Sequence, residues 1–198
     1  TLEVADSVSQ AGSSSSSLDH VPPEVKKISV VRETGENVLH KAARLGYKEA
    51  TLWCCENKYV NLNGKDHAGY APLHEASTTG NVTIAKYLIA YGAEVNVGSL
   101  DGVRPLHDAV ENNHFEMVRL LLSCGADIHL ATYSGKKVLD LARTPEMKAL
   151  IEGYLADMNG TADDEANIQP WELPMFPPPP EESTDEEDSD EGEKEPEV

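Results

Sequence analysis

The sequence predicts an all-α solenoid: stacked pairs of antiparallel helices joined by β-turns, flanked by tails that lack a core. Three observations predict it. First, four segments align when Gly35, Gly69, Gly102 and Gly135 are superposed, at spacings of 34, 33 and 33 residues. They read GENVLHKAARLGY, GYAPLHEASTTGN, GVRPLHDAVENNH and GKKVLDLARTPEM. A Leu-His pair recurs at Leu39-His40, Leu73-His74 and Leu106-His107, and becomes Leu139-Asp140 in the fourth. Second, the stretches that follow carry apolar residues at helical spacing. Third, charge is uneven. The whole chain has a net charge of −19, yet residues 157–198 hold about sixteen acids against Lys194 alone, so roughly −15 belongs to an appendage and about −4 to everything before it.

A period of 33 with a core like T-P-L-H-x-A is the signature of ankyrin repeats, each a β-turn followed by two helices. The elements follow in order. Residues 1–28 include QAGSSSSSLDHVPPE, a Ser-rich stretch poor in large apolar residues, and are expected to form a disordered arm. Residues 29–156 hold about three full repeats and a C-terminal cap. Gly46 and Gly80 mark the turn between the two helices of repeats one and two, and Asn113, the next residue type to tolerate positive φ, fills that place in the third. In the second helices Val82, Ala85, Leu88 and Ile89, and again Phe115, Val118, Leu121 and Leu122, fall on one face. Gly92-Ala93 and Gly125-Ala126 end them, with Gly suited to the cap; the first repeat has Lys58-Tyr59 there instead. TPEMKALIEGYLADM is expected to close the stack as a helix capped by Thr144, with Pro145 in its first turn. One repeat cannot bury its own apolar face, but three and a cap can, so one cooperative solenoid is expected; the sequence does not give the oligomeric state, and a monomeric domain is the expectation. Residues 157–198 read as a disordered linker and acidic tail.

Several function classes fall away. An acidic chain is repelled by phosphate backbones, so direct nucleic-acid binding is not expected. No apolar run approaches the twenty residues of a membrane span, and no secretory-type apolar segment is read near the start. Cys54, Cys55 and Cys124 are odd in number and lack zinc-ligand spacing, so buried free thiols are expected. His40, His74 and His107 recur with the architecture and are assigned to it, each bonding backbone between neighbouring turns. His67 and His114 are expected at the surface, and His129 in a loop. No phosphate loop, nucleophile elbow or paired catalytic carboxylates are found, so no catalytic residue, metal ligand or cofactor is assigned.

What remains is binding. Glu75 and Asp108 hold equivalent places in successive repeats, so their carboxylates are expected to share one concave groove, a geometry suited to an extended cationic peptide. The predicted groove has negative charge from Asp66, Glu75, Asp108 and Glu111, aromatic surface from Tyr70 and Tyr133, a counter-charge from Arg104, and Thr78 alongside. A second candidate is a linear docking motif in PWELPMFPPPP, built from Trp171, Leu173, Met175 and Phe176. Ser183, Thr184 and Ser189 lie among acids, a context for an acid-directed kinase.

The segments AARLGYKEA, AGYAPLHEA, DGVRPLHDAVENNHFEMVRLLLSCGAD and LATYSGK resemble the ankyrin domain of the BCOR family of nuclear transcriptional corepressors. LATYSG, outside the general ankyrin consensus, is the more specific of these. The resemblance implies a nuclear protein with protein or peptide partners in a repressor complex, a variant Polycomb complex that ubiquitinates histone. In that family a ubiquitin-like domain follows the repeats and binds a RING-finger partner; here an acidic stretch stands in that place. KDHAGYAPLHEA followed by LDGVRPLHDA is also similar to nuclear ankyrin domains that read an unmodified histone tail. That likeness implies tail contacts at Asp66, Tyr70, Glu75, Thr78 and Asp108, with Tyr70 in place of the usual Trp and Thr78 in place of Asn.

Overall fold

A computed structural model describes residues 21–28 and 32–158. Among these residues there are nine α-helices and no strands. They are α1 (Pro23–Lys27), α2 (Val38–Leu45), α3 (Lys48–Glu56), α4 (Pro72–Thr79), α5 (Val82–Ala90), α6 (Pro105–Glu111), α7 (Phe115–Ser123), α8 (Val138–Leu141) and α9 (Pro145–Met158). Helices α2, α4, α6 and α8 pack side by side as one row, and α3, α5 and α7 as a second row behind it. Each helix pair is short, seven to nine residues in repeats one to three, so neither helix is stable alone. Stability comes from a single apolar cluster that runs between the rows through Leu39, Leu73, Ile84, Leu88, Leu106, Met117, Leu120 and Leu121, all essentially inaccessible.

The turns sit where the sequence puts them. Gly46 and Gly80 end their helices in the left-handed region at φ 77° and 72°. Asn113 does the same at φ 62°, and Lys58 at φ 48° replaces the glycines of the later repeats, a residue type that carries a steric penalty there. Thr144 caps α9 by accepting the Met147 N–H at 3.3 Å.

The β-turn fingers are joined by a backbone ladder. His67, Leu100 and Tyr133 each donate an N–H to a carbonyl of the preceding finger: Thr34, Ala68 and Asp101, at 2.9–3.0 Å. Gly69 is required here, because its φ is 82° and an added Cβ would stand 2.5 Å from the Leu100 nitrogen.

The recurring histidines are structural. Nδ1 of His40, His74 and His107 accepts the N–H of Asn37, Ala71 and Arg104 at the start of each first helix. The proton therefore sits on Nε2, which in His40 and His74 donates to the carbonyls of Tyr70 (2.9 Å) and Val103 (3.0 Å) in the next repeat. His107 keeps only the first half of this role: its Nε2 is buried and faces the Leu130 carbonyl outside good hydrogen-bond geometry. In the fourth repeat Asp140 accepts the Lys137 N–H at 2.9 Å, so the Leu-His to Leu-Asp change preserves the cap where no further repeat calls for the second bond.

Two expectations are corrected. The N-terminal boundary lies earlier than residue 29, since α1 packs on α3 and buries Val25 and Ile28 over the open end of the stack. A one-turn helix has too few residues to show periodicity. His114 is half-buried rather than a surface residue: Nε2 bonds the Thr78 carbonyl at 2.9 Å and the ring lies against Gly80. Cys54 and Cys55 are buried free thiols and burial pushes each up to about 12, whereas Cys124 is half-buried.

Candidate functional site

An open groove of about 400 Å³ is lined by Asp66, Tyr70, Glu75, Thr78, Asp108, Glu111, Asn112 and Arg143. Six of the eight residues predicted for the groove therefore come together. They do so because one finger (Asp66, Tyr70), two adjacent first helices (Glu75 and Thr78 on α4, Asp108 and Glu111 on α6) and the link after α8 (Arg143) face the same concavity.

Each member is held differently. Asp66 organises its own finger: Oδ1 accepts the N–H of Ala68 at 2.9 Å and of Tyr70 at 2.7 Å. The Tyr70 ring then meets His74 edge to face, with centroids 4.9 Å apart. Burial, followed by the charge of Asp108 and other nearby acids, raises the Tyr70 phenol. Thr78 is exposed, and its carbonyl is taken by His114. Asn112 donates to the Asp108 backbone carbonyl at 2.9 Å.

The carboxylates are less free than the sequence suggests. Glu75 is gripped by Arg44 from the preceding repeat, with Nε to Oε2 at 2.9 Å and Nη2 to Oε1 at 3.0 Å. The same guanidinium also pairs with Glu36, and these two acids, Glu75 first, hold it firmly protonated. Glu111 pairs with Arg143 at 2.6 Å.

Asp108 is the exception. It is only 8% exposed, and its Oδ2 has no hydrogen-bond partner. Burial first, then the neighbouring Glu111 and Glu75, push its carboxyl up to about 8. The fixed negative charge expected of Asp108 thus meets a setting that favours the protonated carboxyl.

Two predicted members stand elsewhere. Arg104 does not supply the counter-charge; its Nη1 donates to the carbonyls of Gly102 (2.9 Å) and Ala131 (3.1 Å), tying the third finger to the fourth. Arg143 occupies the position expected of it, a residue missed because it belongs to the shortened last repeat. Tyr133 is 77% exposed on the fourth finger and lies over Gly102, outside the groove. The motif residues Trp171, Leu173, Met175 and Phe176, and Ser183, Thr184 and Ser189, lie outside the described residues. Among the described residues no group of three or more His, Cys, Asp and Glu is placed to hold a metal ion, and no helix is long and apolar enough to cross a membrane.

The groove is thus an acidic concavity on a repeat scaffold, with a buried carboxyl in its lining. Family models described as "Ankyrin repeats (3 copies)" and "Ankyrin repeats (many copies)" match residues 13–99 and 92–142. The chain belongs to the ankyrin-repeat proteins. It is 49% identical over 147 residues to human BCL-6 corepressor, covering 74% of this chain and 8% of that protein. It is 41% identical over 165 residues to human BCL-6 corepressor-like protein 1, covering 83% of this chain and 9% of the relative. Human SMC5-SMC6 complex localization factor protein 1 matches at 32% over 95 residues, 46% of this chain and 9% of that protein. These repeats are of the BCL-6 corepressor type, and the chain spans less than a tenth of the length of these relatives.

Proposed function

We propose that this chain is a non-enzymatic docking module of a nuclear transcriptional corepressor, and that its groove receives a basic peptide segment of a partner. The observation that carries the reading is the unpartnered Asp108 Oδ2 at the floor of a groove bordered by Glu75 and Glu111. A buried acceptor without a donor is costly by about 1–3 kcal/mol, and a cationic side chain supplies the missing donor. The likeness to BCL-6 corepressors supports a repressor setting, and a variant Polycomb complex is the assembly we infer for it. In calorimetry with a basic peptide, Glu75→Ala combined with Asp108→Ala is expected to abolish binding; unchanged binding would sink the groove reading.

The convergence of Asp66, Tyr70, Glu75, Thr78 and Asp108 favours one particular basic segment, an unmodified histone tail. The rival is docking through Trp171, Leu173, Met175 and Phe176. Pull-down from nuclear extract with residues 21–158 and with the full chain separates the two. Histone retained by residues 21–158 supports the groove, and partners lost with residues 159–198 support the linear motif.

A further inference from the structure

Three carboxylates of the groove already have donors of their own. Asp66 accepts two backbone N–H groups, Glu75 is held by Arg44, and Glu111 by Arg143. The fourth, Asp108, is more than nine-tenths buried, lines the groove, and keeps an Oδ2 that meets nothing. The acids that act on it are Glu111 on its own helix α6 and Glu75 on α4; Asp66 and Tyr70 on the finger, Thr78 on α4, Asn112 at the end of α6 and Arg143, engaged by Glu111, complete the lining. Burial among these acids disfavours the ionised carboxyl near neutral pH, and a cation beside it would favour it.

Building on the groove reading above, we propose that Asp108 is the cation subsite of the groove and that a cationic side chain binds there by displacing the carboxyl's own proton to solvent. The O–H bond of the Asp108 carboxyl breaks, the proton passes to buffer, and the carboxylate left behind accepts an N–H of the incoming ammonium or guanidinium. Near neutral pH the groove is thereby kept from holding an uncompensated buried charge, and the charge develops as a partner's cation arrives. Recognition is then proton-linked. Affinity rises about tenfold per pH unit below the carboxyl's pKa and levels off above it. Partners with cationic side chains are favoured most on the alkaline side of neutrality.

The test uses the full 198-residue chain and acetyl-tetralysine amide. Calorimetry in phosphate and in Tris, which differ in ionisation enthalpy, counts protons. Close to one proton should be released per groove at pH 6.5 and almost none at pH 9. Asp108→Asn should bind more weakly and release none at either pH, while the acids of residues 157–198 contribute equally to both proteins. The Asp108 carboxyl carbon, assigned in a ¹³C spectrum by its loss in Asp108→Asn, should move to its ionised position when peptide is added at pH 6.5. Asp108-dependent binding with no proton release and an unmoved carboxyl resonance overturns the coupling but leaves the groove reading intact. Absence of any Asp108-dependent binding at pH 9 overturns both.

Discussion

Replacing Asp108 by Asn should make the protein more stable at neutral pH. The carboxyl is raised from 3.8 to about 8 by burial and by Glu111 and Glu75. This is the reverse of an ion-paired aspartate, because here the folded state holds the proton more tightly than the unfolded one. Below pH 3.8 both states are protonated and ionisation has no effect. Between 3.8 and about 8 the unfolded chain ionises while the folded one does not, so stability falls by about 1.4 kcal/mol per pH unit, and above that range the loss is complete. At pH 7 about three units of that window are used, an upper bound of about 4 kcal/mol. Asn does not ionise in either state. Its amide is the same size, and Glu75 and Glu111 offer acceptors nearby. Allowing about 1–2 kcal/mol for an imperfectly bonded amide leaves a net gain of about 1–3 kcal/mol at pH 7, vanishing toward pH 4. Urea unfolding followed by far-ultraviolet circular dichroism between pH 4 and 8.5 measures this directly. Parallel pH profiles for the two proteins, or an Asn variant that is less stable at pH 8, would refute the reasoning.

Three further outcomes follow from the hydrogen bonds and from burial. His74→Ala removes two bonds and His107→Ala one, so the first should be more destabilising by about 1 kcal/mol in the same urea experiment; equal losses would contradict the assignment. Burial also lowers His74 from 6.5 to about 4, so the stability it contributes is present above 6.5 and is lost as pH falls from there toward 4, a limb that should be absent from His74→Ala. Arg44→Ala should cost under about 1 kcal/mol, since the guanidinium is well exposed, yet it frees the Glu75 carboxylate. Fluorescence anisotropy with labelled tetralysine should then show tighter binding, and unchanged or weaker binding would show that Glu75 does not face the peptide.

Much of the scaffold was legible because each repeat restates it. The spacing of Gly35, Gly69, Gly102 and Gly135 located the fingers, and recurrence separated His40, His74 and His107 from any chemistry. The substitution of Asn113 for a glycine was readable from φ preference alone. Equivalent positions one repeat apart, Glu75 and Asp108, also line one concavity, as their spacing suggests. The sequence misled at two arginines whose partners came from a different repeat. Arg104 looked like groove charge but bonds carbonyls of the third and fourth fingers, and Arg143, the cation that lines the groove, stands in a repeat too short to align well. The short α1 lacked any pattern to read.

The sequence by itself determined the architecture, because short-range periodicity and turn chemistry repeat every 33 residues and one solution satisfies all copies. It also determined which acids share a surface, since equivalent positions point the same way. Only the tertiary structure decided the charge state of that surface. Arg44 reaches Glu75 across 31 positions and Arg143 reaches Glu111 across 32, while nothing reaches Asp108 Oδ2. Burial and distance between groups far apart in the chain set a carboxyl's proton affinity, and neither is encoded in the local pattern.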